Sequence, residues 1–241
     1  MVLNQTTRVA QIGIPNVGLG TWAILHRLQH PLDGHLTVSC LAARLIPLWP
    51  HEARQAEEPH FVKAGLLDLE DTLEQLERAG TRIAIIDTPP AITMAIQSVI
   101  AVAELIVIPT RPSPHDLRAV GATVDLCDRA GKPLIFVVNA ATPKAKITYE
   151  AAVALSQHGT VAPVTLHHRT DYAASMIDGR TVMEIDPKGR SAQEVIELWD
   201  YISDRLEKNF RRTVFAAPGA GNAAPASPRP VGGFGRRVAG Q

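Results

Sequence analysis

From Lys63 onward the apolar positions alternate between two rhythms. Leu66, Leu69, Leu73 and Leu76 recur at helical spacing, with Asp68, Glu70, Asp71, Glu74 and Glu77 on the other faces and Gly80 as the stop. That pattern predicts a helix with one face laid on a sheet. Ile83-Ala84-Ile85-Ile86 then runs without polar alternation, as does a strand buried on both faces inside a parallel sheet. Asp87 ends the run just before Pro89 and Pro90, which lack the N–H groups a continuing ladder needs. Residues 92–103 read as a mostly apolar helix and 105–109 as the next strand. Ser113 as N-cap and Pro114 in the first turn open a helix that reaches Ala130 and stops at Gly131. Leu134–Val138 is a second two-faced strand, stopping at Asn139, followed by a helix over 148–157 and a short strand over 162–166. Strict strand–helix alternation of this kind predicts an α/β fold, a doubly wound and mostly parallel sheet in three α/β/α layers.

Beyond the sheet, residues 169–182 read as a loop with one helical turn. Ser191 and Glu194 carry the spacing of a capping box at the start of the last helix. Val195, Leu198, Trp199, Ile202 and Leu206 form a single stripe on that helix, which reads as core. Residues 1–60 are less regular. Residues 36–50 have room for a strand and a short helix, but Pro47 and Pro50 bracket Trp49. After Glu207 acidic residues vanish, glycine, alanine and proline take over, and Arg211, Arg212, Arg229, Arg236 and Arg237 supply positive charge. Such a segment buries too little apolar area to offset its ordering entropy. The expected organisation is one nucleotide-binding-type domain over 1–208, atypical over 1–60, and a flexible, disordered basic tail over 209–241.

Composition narrows the class without naming a partner. A chain of 241 residues suits one α/β core and a tail. Its 24 lysines and arginines balance 24 aspartates and glutamates, so only local charge points to a ligand. Cys40 and Cys127 lie far apart and outside metal-ligand spacing, which suits a reducing cytosol. No apolar run approaches a membrane span, and the amino terminus lacks the order of a signal peptide. A soluble cytoplasmic protein is the expectation.

Candidate chemistry centres on Asp87. At the carboxyl end of a buried strand, where open α/β sheets place their ligands, a carboxylate either caps a turn or holds a magnesium ion or its water. Gly13, Gly18 and Gly20 precede Thr21 in a stretch resembling a phosphate loop, and Thr21 has the hydroxyl that such a loop turns toward magnesium. The cation is missing, because no lysine precedes Lys63. His26, His30, His35, His51 and His60 show no metal-ligand grammar.

Taken together, residues 66–206 resemble the ParA/Soj partition ATPases, the deviant-Walker branch of the P-loop proteins that also contains MinD. Ile85-Ile86-Asp87-Thr88-Pro89-Pro90 looks like the family's Walker B strand, Ile108-Pro109-Thr110-Arg111-Pro112-Ser113-Pro114 like its next strand and helix cap, and Val137-Val138-Asn139 like the strand end by the base. Arg169, Gly179-Arg180-Thr181-Val182 and Asp186-Pro187-Lys188-Gly189-Arg190 resemble its C-terminal pattern. The resemblance implies ATP and Mg2+ as cofactors, with Asp87 assisting the metal and the attacking water, Pro89 beside the nucleotide and Asn139 by the adenine. It also implies that Arg169, Lys188 and Arg190 face nonspecific nucleoid DNA in an ATP-bound homodimer, and that a ParB-type centromere-binding protein is the partner. A turn at Asn139 and solvated surface at the three basic residues are the plain alternatives.

The chain departs from that family at its front. The family's first strand ends in Asn-Gln before a lysine-bearing glycine loop and paired threonines, whereas this chain reads Asn4-Gln5-Thr6-Thr7 with the loop absent between them. Residues 6–53 are therefore expected to be a deleted or frame-shifted remnant of the nucleotide-binding half. Two functions are in contention: a partition protein for plasmid or chromosome DNA that couples ATP-dependent dimerisation to DNA binding, or a catalytically inactive relative that keeps only the scaffold. A membrane-positioning role like that of MinD expects an amphipathic terminal helix, which the Gly/Pro-rich tail lacks.

Overall fold

Seven parallel strands among the described residues set the architecture. In the computed structural model, which describes residues 7–12, 38–43, 60–65, 67–81, 83–88 and 94–215, these are β1 (Thr7–Ile12), β2 (Val38–Ala43), β3 (His60–Ala64), β4 (Ile83–Thr88), β5 (Leu105–Thr110), β6 (Leu134–Val138) and β7 (Thr160–Val161). Their order across the sheet is β3-β2-β4-β1-β5-β6-β7, every pairing parallel. The described helices are α1 (Leu69–Arg78), α2 (Met94–Val102), α3 (Pro114–Arg129), α4 (Lys146–Ser156), α5 (Thr170–Ser175), α6 (Val182–Ile185) and α7 (Arg190–Phe215), with a 3₁₀ turn at Met176–Asp178.

The unbroken apolar runs of β4, β5 and β6 divide by strict period two. Ala84, Ile86, Ile106, Ile108, Phe136 and Val138 join one cluster with Leu73 of α1, Ile96 and Ile100 of α2, Val120 and Val124 of α3 and Leu155 of α4. Ile83, Ile85, Leu105, Val107, Ile135 and Val137 join the other with Tyr172 of α5, Val182 of α6 and Val195, Leu198 and Ile202 of α7. A strand with cores on both faces has no solvent face to mark with polar residues, which is why these runs lack alternation. Each of the buried valines, leucines, isoleucines and Phe136 among them contributes roughly 1.5–3 kcal/mol through burial.

Local signals set most boundaries. Ser113 accepts a hydrogen bond from the Asp116 amide and caps α3 ahead of Pro114. Gly80 and Gly131 sit at φ 87° and 63° just past α1 and α3, where any side chain would crowd the left-handed backbone. The seventh strand differs from expectation: its paired residues are Thr160–Val161, ahead of the expected 162–166. Pro163 has no N–H to give, yet the segment stays beside β6 through Ala162 N–H to Phe136 C=O at 2.8 Å and Leu166 N–H to Val138 C=O at 3.0 Å.

Three further expectations change. Thr7–Ile12 forms β1, pairing β4 on one side and β5 on the other. Val38–Ala43 forms β2. Two strands of the sheet thus come from the region expected to be a remnant, while residues 13–37 and 44–59 lie outside the described residues. The Ser191–Glu194 capping box is not made: α7 starts at Arg190, and the Ser191 hydroxyl instead donates to Asp171 at 2.8 Å. A first-turn carboxylate on α6 takes that role, Glu184 accepting the Thr181 N–H at 2.7 Å. The last helix runs on to Phe215, past the expected boundary at 208. The rest of the expected tail, residues 216–241, lies outside the described residues, as does the pattern of histidines at 26, 30, 35 and 51. Among the described residues no helix is long and apolar enough to cross a membrane, and no group of three His, Cys, Asp or Glu side chains is placed to hold a metal.

Candidate functional site

The chain's excursions reverse at β1. From β1 it crosses over β4 to reach β2 and β3, returns to β4 at β1's side, then crosses β1 to build β5, β6 and β7. Open α/β sheets bind ligands outside the carboxyl ends of the strands at such a reversal. Asp87 is the next-to-last residue of β4, in register with Gln11 of β1 and Ala42 of β2, and Thr88 faces Ile12. In sequence the glycine-bearing stretch over 13–21 follows directly on Ile12, the residue level with Thr88 of β4, and it lies outside the described residues. Thr21 and Pro89 lie outside the described residues.

Burial pushes the Asp87 carboxyl up to about 7, against the opposing effect of a hydrogen bond from the Thr88 amide. A carboxyl poised there changes charge near neutrality, and a bound divalent cation would favour its ionised form.

Asn139 occupies the same rim, at the carboxyl end of β6. Its backbone N–H donates to Thr110 C=O at 2.9 Å, and its Oδ1 accepts the Ala140 N–H at 2.8 Å. Ala140 takes φ 50°, a left-handed conformation rare for a residue with a Cβ. The Asn139 side chain therefore supports the bend at Ala140. Asp87 is level with Ile135, four residues short of Asn139, so with β1 and β5 between them the two residues stand about 14 Å apart across the sheet and about 13 Å apart along it at ordinary strand dimensions.

Between these two, the end of β5 carries Thr110, fully buried, and then Arg111. Arg111 Nε and a terminal nitrogen bond the two oxygens of Asp116 at 2.6 and 3.1 Å. Asp116 is nearly buried in the first turn of α3, and its hydrogen bond, helped by its charge, raises the Arg111 pKa above the ordinary guanidinium value while burial opposes.

The expected DNA-facing residues separate. Lys188 and Arg190 are placed on either side of Gly189 in the turn that enters α7, Lys188 exposed and Arg190 exposed. Gly189 keeps that turn tight: a Cβ there would lie 2.6 Å from Asp186 Oδ2, which would have to swing away, and 3.2 Å from the Asp186 backbone oxygen. Arg169 is instead tied inward. Glu194 Oε1 accepts from Arg169 at 2.6 Å and meets His167 Nδ1 at 2.8 Å, while Oε2 accepts the His167 backbone N–H at 3.0 Å. Burial works against ionisation of Glu194, but the bonds from Arg169 and His167 outweigh it and lower its pKa below the ordinary carboxylate range. Arg180 pairs with Asp178 at 2.8 Å. Of the three basic residues, only Lys188 and Arg190 present their charge outward.

Sequence reasoning missed the Arg111–Asp116 pair and the bridging role of Glu194. The first carries a signal, a cation at a strand end five residues ahead of a first-turn carboxylate. The second had none, since Glu194 sits at a spacing that also suits local capping.

No protein-family profile matches the chain. It is similar to "Maintenance of carboxysome distribution protein A" of Halothiobacillus neapolitanus, with 27% identity over 138 residues, 54% of this chain and 64% of that protein, so the match spans less than two thirds of the relative. Among solved structures it resembles the MinC:MinD cell division complex of Aquifex aeolicus at a TM-score of 0.66 and 13% identity, over 83% of this chain and 96% of that one. It also resembles a ParA family ATPase of Chlorobium tepidum at a TM-score of 0.64 and 13% identity, over 83% and 99% of the two chains. The fold is that of the MinD and ParA ATPases, as the motifs implied.

Proposed function

We propose, from the MinD/ParA resemblance shared by motifs, fold and relative, that this chain is a ParA-like positioning protein of the bacterial cytoplasm that distributes a large cargo along nucleoid DNA. The cargo class extends from plasmid or chromosome DNA, as in the partition proteins, to protein compartments such as the carboxysome named for the relative. The observation that supports it best is the rim at β1: a glycine-bearing stretch succeeds that strand, with the Asp87 strand end on one side and the Arg111 strand end on the other. In this reading Mg-ATP joins two copies into a dimer, Lys188 and Arg190 contact DNA phosphates without sequence preference, and a ParB-type or equivalent adaptor protein links the dimer to its cargo.

The residues fit the cofactors unevenly. Asp87 suits Mg2+, as a hard carboxylate oxygen at the rim. The triphosphate is less well served, because residues 13–21 contain no lysine. Removing such a preorganised cation costs several kcal/mol of transition-state stabilisation. That absence favours the second reading, a relative that keeps the scaffold and DNA surface with little or no turnover.

Calorimetric titration with ATP in the presence and absence of Mg2+, together with hydrolysis rates with and without DNA, separates the two. A positioning ATPase shows Mg2+-dependent ATP binding and DNA-stimulated turnover. Binding undetectable at millimolar ATP leaves the inactive scaffold. For the DNA surface, the affinity falls steeply with salt through counterion release, and replacing Lys188 or Arg190 with Ala lowers the salt slope by about 1 each. A salt-insensitive affinity overturns the DNA contact.

A further inference from the structure

Between Asp128 and Glu150 the only charged residues are Arg129, Lys132, Lys144 and Lys146. All but one are accounted for locally. Arg129 lies in the last turn of α3, where the helix dipole favours a cation. Lys132 Nζ donates to Ala103 C=O at 2.9 Å, and Lys146 pairs with Glu150 at 3.0 Å. Lys144 is exposed, and among the described residues no hydrogen bond or ion pair holds its side chain.

The backbone at Lys144 is as unusual as its free charge. Ala145 N–H donates to Thr142 C=O at 3.2 Å, closing a four-residue turn with Pro143 and Lys144 at its centre. The Thr148 hydroxyl of α4 donates to the same carbonyl at 3.4 Å and braces the turn. Lys144 takes φ 62°. A turn with proline first and a left-handed residue second favours glycine or asparagine at the second place, because a Cβ is crowded there. The other left-handed positions among the described residues are glycines, or Ala140, whose N–H is held by Asn139 Oδ1. No polar contact of the lysine head within the described residues offsets the strain at Lys144, which directs its charge to a ligand outside the chain.

Lys144 follows β6 out of the carboxyl rim, and the basic turn ahead of α7 comes back to the same rim. Ala141 lies beside His167 and accepts the His168 N–H at 2.9 Å. Glu194, one helical turn after Arg190, accepts the His167 N–H at 3.0 Å. These links keep the Lys144 and Arg190 backbones within about 30 Å of each other, less than the ~34 Å of one duplex turn.

We infer that Lys144 is a further cation of the DNA-facing surface, meeting a backbone phosphate beside those met by Lys188 and Arg190. The inference rests on the DNA reading above and extends that surface to the turn that enters α4. A solvated lysine adds to duplex affinity through the counterions its phosphate releases, so its mark is on salt dependence and not on sequence preference.

The test uses the full chain with Mg-ATP and a fluorescent duplex of mixed sequence, over about 50–200 mM KCl. Lys144→Gly removes the charge and relieves the left-handed backbone, so its thermal midpoint is expected at or above the native one and a loss of binding is not a loss of folding. Lys144→Arg keeps the charge. The expected result is a salt slope lowered by about 1 and an affinity roughly tenfold weaker at the low-salt end for Lys144→Gly, with both near native for Lys144→Arg. If the native chain binds duplex with a steep salt slope that Lys188→Ala or Arg190→Ala lowers, while Lys144→Gly leaves affinity and slope unchanged, the role of Lys144 is overturned and the DNA surface stands. A weaker affinity with an unchanged slope also overturns it, as does a loss of ATP affinity by calorimetry with DNA binding intact. If the native chain binds no duplex, or binds it independently of salt, the DNA reading fails and the inference with it.

Discussion

Asp87 links the site to the stability of the whole fold, through a titration that can be followed without any ligand. Its carboxyl is held near 7 by burial, against an ordinary value of 3.8. Between those two values the folded chain binds a proton that the unfolded chain has released. Stability therefore falls as pH rises across that window, and the penalty is complete above the folded value. A rise of that size corresponds to about 4 kcal/mol, an upper bound because the side chain keeps some contact with water. Asp87→Asn removes the titration while keeping the shape. It is expected to match the native chain near pH 4 and to exceed it by up to about 4 kcal/mol at pH 8, or up to roughly 8–16 °C in Tm for a chain of this size. Thermal or urea unfolding of both proteins from pH 4 to 8 measures the difference, so that the other titrating groups cancel. A difference that is flat with pH, or that favours the native chain more strongly at pH 8 than at pH 5, would refute the buried-carboxylate account. Millimolar Mg2+ supplies the companion test: if Asp87 holds the metal, added Mg2+ recovers the native chain's stability at pH 8 and leaves the asparagine variant unmoved.

Packing away from the rim gives two more predictions. Glu194→Gln leaves the Arg169 guanidinium without its counter-charge and loses one of the three bonds to His167 and Arg169, which should cost about 2–3 kcal/mol, somewhat below a fully buried pair. Because the Glu194 pKa is lowered, its stabilisation is present above the ordinary carboxylate range and is lost as pH falls through the folded value. The gap between native and variant urea midpoints should accordingly shrink below about pH 4, and a gap unchanged at pH 3 would contradict the ion-pair origin. Phe136→Ala empties a fully buried position whose ring edge would lie 3.1 Å from a Cβ placed at Gly159. The expected loss is about 3–5 kcal/mol in chemical denaturation, and a loss below about 1 kcal/mol would mean that α4 and the strand beside it close over the cavity.

How much of the fold and site is legible in the sequence depends on where each residue's partner lies. Ser113, Pro114 and Gly131 act on backbone within one or two turns, so their spacing alone locates α3. The runs at 83–86 and 134–138 declare two-faced burial because both faces of the sheet are covered by apolar clusters. Glu194 misleads for the opposite reason: its position three residues after Ser191 suits local capping, while its real partners lie more than twenty residues back in the chain. Arg169 carries the same ambiguity, since a basic residue in a polar loop looks like solvated surface until its counter-ion is placed. Val161 and Pro163 explain the shift of the last strand, because a proline interrupts the ladder that the apolar spacing suggests.

The front of the chain shows why motif matching and strand patterning can point to different places. Asn4-Gln5-Thr6-Thr7 imitates the two flanks of a phosphate loop with nothing between them, but a loop of that kind functions only when it leaves the carboxyl end of a central strand, beside the acidic strand tip. Thr7 lies at the wrong end, since it is the first residue of β1 and faces Ile83, the first residue of β4. The carboxyl end of β1 is Ile12, facing Thr88, and the next residue in the chain is Gly13. In sequence order residues 13–21 follow that strand end, and what sets them apart from a phosphate loop is the lysine they lack. The two defects have different consequences. A deleted loop leaves no backbone amides to wrap an anion and no recoverable affinity. A loop that lacks only its lysine can still offer backbone amides to an anion, at a cost of several kcal/mol for the missing cation.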